Sequence, residues 1–333
     1  MSTALEHPDA QVIVEELSNG RRNVKVTLLN SELFMPYDRC QTSYPVELIR
    51  EILGVKGPAW LCDEIMRDED PGYVQKHLER DLLAYFERSD FEGKRILDFG
   101  CGSGASTVVL ARIFPEAEIV GIELFGDLLS VARKRVQHYG FPHVILKRTP
   151  CGTELPEDLG RFDFVILSAV YEHLLPHERR AIMPKLWSAV REGGHLFINQ
   201  TPNRLFPIEL HTTMLPLINY LPEPLALAVA RRFSRRVERD ETWETLLRKG
   251  IRGATVRELT RLLPEDEGRP VLLEPSKMGL RDRIDIWYST TNPERMPAIK
   301  VLIKFWMKAI KGATGITLVP DLSLAFKKTM RRS

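Results

Sequence analysis

The chain has 333 residues, 44% hydrophobic and 28% charged, and its 47 Lys and Arg nearly balance 45 Asp and Glu, for a formal net charge of +2. That length can bury a large core, and the composition is that of an ordinary globular protein. Near neutrality gives no electrostatic footprint for nucleic acid, and no apolar run reaches the roughly 18 residues that span a bilayer. The four cysteines, Cys40, Cys62, Cys101 and Cys151, show neither metal-ligand spacing nor a secreted disulfide pattern, and MSTALEHPDA lacks an apolar signal region. The expected location is the cytoplasm.

Residues 1–31 read as polar, with one alternating stretch at 23–29 (NVKVTLL) that suits a strand or hairpin arm. A mixed pattern over 41–52 predicts a short helix. A second helix is predicted over 73–89, where Val74, Leu78, Leu82, Leu83 and Phe86 share a face.

Residues 95–104 read RILDFGCGSG. An apolar strand over 95–99 carries an acid, Asp98, and the chain then turns on Gly100, Gly102 and Gly104 before a helix opens at Ala105. A strand, glycine turn and helix of this kind is a nucleotide cradle. The spacing is G-x-G-x-G rather than the dinucleotide G-x-G-x-x-G, and an acid beside the turn would repel a diphosphate while suiting the ammonium and hydroxyls of an uncharged nucleoside ligand. The next strand, 118–123 (EIVGIE), ends in Glu123, placed to accept hydrogen bonds from ribose hydroxyls.

Strands and helices then alternate. A helix over 105–114 stops at Pro115 and one over 127–139 stops at Gly140; strands follow at 143–147 and 162–167, then a helix over 177–190 ending at Gly193 and Gly194, and a strand at 195–199. Connections of this length are crossovers between parallel strands. Beyond Asn199 the alternation breaks. Residues 201–240 hold five prolines and two arginine pairs; two short helices are expected over 243–263 about a Gly250–Gly253 turn, and a helix over 297–310.

ILDFGCGSG and VGIE resemble the first two motifs of the class I S-adenosylmethionine (AdoMet) dependent methyltransferases, and FDFVILSAVYEHL and GGHLFI resemble later strands of the same core. The resemblance implies an α/β fold with a Rossmann-like, seven-stranded, mostly parallel sheet, an N-terminal helical cap and an insertion after the fifth strand. It implies a sixth strand at 271–273 and a seventh at 322–327, pairing antiparallel at the edge. The corresponding division is an extension and cap over 1–90, the AdoMet core over 91–200, an acceptor-binding insertion over 201–265 and completion of the sheet over 266–333.

The implied cofactor is AdoMet. Asp98, Gly100, Cys101, Gly102 and Gly104 would cradle it, Glu123 would bind the ribose, and Leu124 would contact the adenine through its backbone. Many relatives carry an acid after the third strand, where this chain has TPCGTELP; Thr149, Cys151 and Gly152 stand in that region, where a carbonyl or hydroxyl suffices as an acceptor for an amine. Ser168 and Ala169, with Val170, would line the methionine end.

A hydroxyl acceptor needs a general base near neutral pH, and histidine suits that task. His173 in YEHL and His211 in PIELHTT are the catalytic candidates by region, with Glu172, Asn203, Arg204 and Glu209 as acceptor-binding candidates. His173, Glu209 and His211 match no established metal signature, and no metal is expected.

Two cationic stretches, LALAVARRFSRR and KVLIKFWMKAIK, are expected to be surface helices whose long basic stems cover the core; the alternative is that they lie in a membrane interface. The expected function is methyl transfer to a hydroxyl of a small-molecule, sugar or lipid-linked acceptor, giving S-adenosylhomocysteine. The alternatives are small-molecule N-methylation and a non-catalytic AdoMet-binding subunit. The expected partner is a small, amphiphilic or anionic acceptor.

Overall fold

Alternation of buried and exposed residues in AQVIVEE sets the first layer, turning Val12 and Val14 inward. This strand, β2 (Ala10–Glu16), lies between β1 (Ser2–His7) and β3 (Arg22–Leu28), and β4 (Arg39–Thr42) completes a four-stranded antiparallel sheet. The computed structural model describes residues 2–30, 34–291 and 297–330. Where one strand was expected before residue 31, three are found. The predicted helix over 41–52 begins only at Val46, after β4. Two helices, α1 (Val46–Lys56) and α2 (Pro58–Glu69), share an apolar cluster with the sheet, in which Tyr44, Leu48, Ile49, Ile52, Leu61 and Ile65 are almost fully buried. The N-terminal segment is therefore a sheet with helices rather than a helical cap. The helix predicted from Tyr73 starts as a π-helical turn over Pro71–Gln75, kinked at Tyr73, and continues as α3 (Lys76–Leu83).

The second sheet follows the predicted alternation. Its elements are β5 (Arg95–Phe99), α4 (Ala105–Ile113), β6 (Glu118–Glu123), α5 (Gly126–Tyr139), β7 (Val144–Arg148), β8 (Phe162–Ser168), α6 (Pro176–Ala189) and β9 (Val190–Pro202). Beyond β9 come α7 (Glu223–Phe233), α8 (Trp243–Arg248), α9 (Val256–Arg261), β10 (Arg269–Leu272), α10 (Arg283–Thr290), α11 (Pro297–Thr314) and β11 (Asp321–Thr329). The seven strands run β10-β11-β9-β8-β5-β6-β7, the Rossmann-like arrangement expected of the class I fold. β11 pairs antiparallel with both β9 and β10, so the last strand is internal and β10 holds the edge, correcting the expected edge position. β9 begins where α6 ends, so Gly193 and Gly194 lie within the strand rather than at a helix stop.

The chain forms two compact units, Met1–Leu78 with Cys101–Arg148, and Glu79–Gly100 with Thr149–Ser333. The first is organised around Arg135 on α5, whose side chain is fully buried. Its guanidinium donates to Ser103 O at 3.1 Å, Ser103 Oγ at 3.0 Å and Glu64 O at 2.6 Å, and stands 3.0 Å from Glu64 Oε1 and 3.6 Å from Asp68 Oδ1. Tyr44 and Tyr139 both donate to Asp68 Oδ2, at 2.5 and 2.7 Å. Burial alone would push the Glu64 carboxyl up; the cations Arg135, Lys56 and Arg67 outweigh it and bring its pKa to about 2. A buried charge persists only when paired and hydrogen-bonded, so removing one member leaves the others uncompensated. Arg135→Ala is expected to cost about 3–5 kcal/mol in urea unfolding; a loss below about 1 kcal/mol would contradict this account of the network.

Candidate functional site

In the first unit the glycine turn is fixed by packing on one side and left free on the other. A Cβ on Gly104, at φ +86°, would come within 2.7–2.8 Å of Ala132 on α5, so no side chain fits. Gly102, at φ +56°, has nothing within 4 Å of where a Cβ would lie. The turn thus presents backbone to open space at its middle glycine, which is the condition a closely approaching ligand needs. Cys101 donates its N–H to Ile122 O at 3.0 Å, and its sulfur packs where a Cβ on Gly121 would be, 3.2 Å away. Its carbonyl accepts from the Gly104 N–H at 2.9 Å.

Glu123 ends β6 and is 7% exposed. Oε1 accepts the N–H groups of Leu124 and Phe125 at 2.8 and 3.0 Å, and Oε2 accepts that of Gly102 at 2.9 Å. A carboxylate offers about four acceptor positions, so three are used by the turn and one is left on Oε2. That leaves room for one further donor, where the sequence reading expected Glu123 to accept from both ribose hydroxyls. Leu124 is engaged at both ends of its peptide unit: its N–H goes to Glu123, and its carbonyl accepts from Arg148 Nε at 3.3 Å.

In the second unit Asp98, 2% exposed, lies at the carboxyl end of β5. Gly100, at φ +70°, abuts Val170. Ser168 and Asn199 are register neighbours at the ends of β8 and β9; Ser168 Oγ and both polar atoms of the Asn199 amide are buried without a hydrogen-bond partner among the described residues. Ala169, at φ 54°, donates to Asn199 O at 3.0 Å. Buried polar groups are normally satisfied, so an orphaned hydroxyl and amide side by side fit a polar ligand tail such as the amino-acid end of AdoMet. Sequence reasoning found Ser168 and missed Asn199, whose only signal was its place at a strand tip. Thr149 is buried and Cys151 exposed, with its sulfur 3.3 Å from Thr153 Oγ1; a Cβ on Gly152 would lie 2.9 Å from Glu178 Oε1.

The same unit brings the two candidate histidines together across 38 positions of sequence, with ring centroids 5.6 Å apart. His173 Nδ1 is 2.8 Å from Arg248 O. A carbonyl only accepts, so Nδ1 carries the proton and Nε2 keeps a free lone pair. That lone pair stands 3.8 Å from Glu172 Oε1, which is buried with no hydrogen-bond partner among the described residues; Glu172 Oε2 accepts from Thr201 Oγ1 at 3.2 Å. Burial lowers the pKa of both histidines, and at His211 the neighbouring His173 adds to the effect, so both are neutral at pH 7. Burial raises Glu172 to about 8. The ligand atoms of Glu172, His173 and His211 lie within 4.8 Å of one another. Ligands about 2.1 Å from one zinc-like ion stand roughly 3.4 Å apart, so this arrangement is looser than a closed metal centre and suits proton exchange better.

Two arginines that sequence reasoning missed hold the His173 turn. Arg179, 5% exposed, donates to Glu172 O at 3.1 Å, Leu174 O at 2.8 Å and Gly253 O at 2.8 Å. Arg248 pairs bidentately with Glu178 at 2.6 and 2.7 Å and donates to His173 O at 3.2 Å. The expected acceptor group is only partly available. Glu209, 3% exposed, is spent on its own loop, accepting from the N–H groups of His211, Thr212 and Thr213 and from the Thr213 hydroxyl. Asn203 Oδ1 likewise accepts from Leu205 N at 3.0 Å, while Arg204 is exposed.

A methyltransferase domain model matches residues 96–194, which contain the glycine turn, Glu123 and the His173 turn. The chain carries a class I AdoMet-dependent methyltransferase domain. Its cofactor is AdoMet. The trans-aconitate 2-methyltransferase of Afipia carboxidovorans is 32% identical over 146 residues, 43% of this chain and 51% of that protein. The trans-aconitate 2-methyltransferase of Rhodopseudomonas palustris is 26% identical over 235 residues, 70% of this chain and 73% of that one. The chain thus spans about half the length of the first of these relatives. Among solved structures, the YcgJ protein of Bacillus subtilis superposes with a TM-score of 0.43 at 13% identity, covering 78% of this chain and all of that one. Among the described residues no helix is long and apolar enough to cross a membrane.

The buried acids give this unit a pH signature. Asp81, 1% exposed, is raised by burial to about 7, beside Glu172 at about 8. Both folded values lie above the ordinary carboxyl range, so between about pH 5 and pH 8 the folded state holds protons that the unfolded chain has released, and stability falls as pH rises. Glu172→Gln is expected to shrink the difference between urea midpoints measured near pH 5.5 and pH 8.5. An undiminished difference would remove Glu172 as a source.

Proposed function

We propose that the chain transfers the AdoMet methyl group to an oxygen, a hydroxyl of a small-molecule, sugar or lipid-linked acceptor, leaving S-adenosylhomocysteine. The observation that carries this reading is the His173 tautomer: Nδ1 is tied to Arg248 O, and Nε2 is held as a free base at the end of β8. Bound AdoMet supplies an electrophilic methyl on a sulfonium. The chain's own task is to align an oxygen with that methyl, exclude water, and take the hydroxyl proton as the new C–O bond forms. His173 Nε2 takes the proton, with His211 beside it as acceptor contact or alternative base. Glu172, protonated at pH 7, keeps a negative charge away from the forming cation until higher pH. Arg179 and Arg248 position the turn, and in the first unit Glu123 and the open backbone at Gly102 receive the cofactor's ribose.

The relatives' names suggest a small organic acid as acceptor. Against a tricarboxylate stands the engagement of the nearby guanidiniums, since Arg179 and Arg248 already donate to main-chain carbonyls and to Glu178. The unpartnered Glu172 Oε1 supports one second reading, an amine acceptor held by that oxygen. The two separate on product chemistry: an N-methyl amine survives alkali, as does an ether, but only the amine gains a titratable methylated nitrogen.

Labelled AdoMet incubated with the protein and fractionated extract is expected to deliver label to small or lipid-soluble products. Label found only in RNA, DNA or protein would contradict the acceptor class. With an acceptor in hand, His173→Ala is expected to lower kcat by about 10²–10⁴ while S-adenosylhomocysteine affinity shifts less than about 3-fold. His211→Ala is expected to show a smaller loss. Turnover within about 3-fold of wild type in the His173 variant would take that residue out of the mechanism.

A further inference from the structure

Helix α11 is built inside out. At 100° per residue its four lysines, Lys300, Lys304, Lys308 and Lys311, fall within an arc of roughly 80°, and its large apolar residues other than the buried Met307 fill an arc of roughly 200° opposite. A surface helix normally turns its apolar stripe inward. Here the polar side is the one packed down. Lys304 pairs with Asp285 at 2.9 Å, Lys308 with Asp282 and Asp285 at 2.8 and 2.9 Å, and Lys311 with Asp282 at 3.3 Å. Asp282 also caps α10, accepting from the N–H groups of Ile284 and Asp285, so the acidic seat is built into that helix start. Ile299, Val301, Leu302, Phe305 and Trp306 are left 50–63% exposed.

We propose that α11 is a membrane-docking element that lays its apolar arc into the interface of an anionic lipid bilayer. Three observations select this occupant. First, α11 carries cations and no acid, with Phe305 and Trp306 on the opposite face, the composition of a helix lying in a headgroup layer. Second, an 18-residue helix is about 27 Å long and offers a face on the order of 300–500 Å², short of the roughly 800 Å² per partner of a stable protein interface. A second copy docked on this face alone would be held weakly. Third, the same compact unit exposes a further apolar and cationic stretch: Leu225 and Phe233 on α7 are 51% and 64% exposed, and Arg232, Arg235 and Arg236 beside them are exposed with no carboxylate partner among the described residues. Free arginines next to exposed apolar side chains match phosphate headgroups above acyl chains.

The docking inference goes beyond the methyl-transfer reading, and its test uses no activity. The whole protein is sedimented at moderate salt with phosphatidylcholine vesicles and with vesicles containing about 30% phosphatidylglycerol, alongside a Phe305→Ser, Trp306→Ser double variant. Both residues are largely solvent-exposed, so thermal melting of the variant should match wild type. Wild type is expected to co-sediment with the anionic vesicles and less with the neutral ones, and the variant to bind at least about 10-fold more weakly. In a second measurement, brominated lipid should quench wild-type tryptophan fluorescence and should quench a Trp306→Phe variant less. The proposal is overturned if wild type stays in the supernatant with both vesicles, if the double variant sediments equally, or if light scattering shows a wild-type dimer that the double variant abolishes without any vesicle binding.

Discussion

One carboxylate sets the geometry of the first unit's turn. Glu123 gathers the N–H groups of Gly102, Leu124 and Phe125, and so fixes where the glycine turn stands relative to the tip of β6. Three main-chain N–H groups donate to the acid and leave one acceptor position unspent. Behind the turn, Ala132 excludes any side chain at Gly104, and Arg135 clamps Ser103 to Glu64 of α2. Packing and electrostatics therefore hold the backbone from behind while its open side stays bare at Gly102. A ligand meets a surface that needs little rearrangement, and preorganisation of that kind lowers the cost of binding.

The second unit follows a different logic. Its turn at His173 is assembled from main-chain acceptors and two arginines, Arg179 and Arg248, so the imidazole is oriented by backbone rather than by another titrating side chain. Burial shifts the groups there in opposite senses, histidines down and Glu172 up, and the cluster stays uncharged at neutral pH. Groups whose environments push their pKa values apart are a mark of acid–base sites. The orphaned amide of Asn199 and hydroxyl of Ser168 point the same way, since a folded chain rarely leaves such groups unpaired unless a ligand completes them.

Most of the second sheet was legible because its strands are short apolar runs bounded by Pro115, Gly140 and the glycine turn, and because four ordered motifs fixed the register. The N-terminal sheet was not, since Gln11 and Glu15 on the outer face interrupt the apolar pattern of the inward Val12 and Val14, and strands of six or seven residues give periodicity little to work on. The merging of α6 into β9 was hidden by Gly193 and Gly194, which read as a helix stop but lie within β9, where its register with β8 shifts between Val190 and His195. His173 and His211 were found by region, yet their proximity depends on α8 and the Gly250 turn, where a side chain at position 250 would collide with the His211 ring. The amphipathic pattern of α11 was visible in the sequence. Which side faces the protein was not, because the acids that seat its lysines belong to α10.

The claim on which the rest turns is that the Glu123 side chain, held in place by the turn, receives the ribose of an AdoMet-type ligand. Its most direct test is calorimetric titration of S-adenosylhomocysteine into wild type and into Glu123→Gln, a substitution that keeps the shape and removes the charge. Micromolar or tighter binding to wild type, weakened at least about 10-fold in the variant with little change in melting temperature, is the predicted result. Equal affinity in the two proteins, or binding heat with NADH and none with S-adenosylhomocysteine, would contradict it.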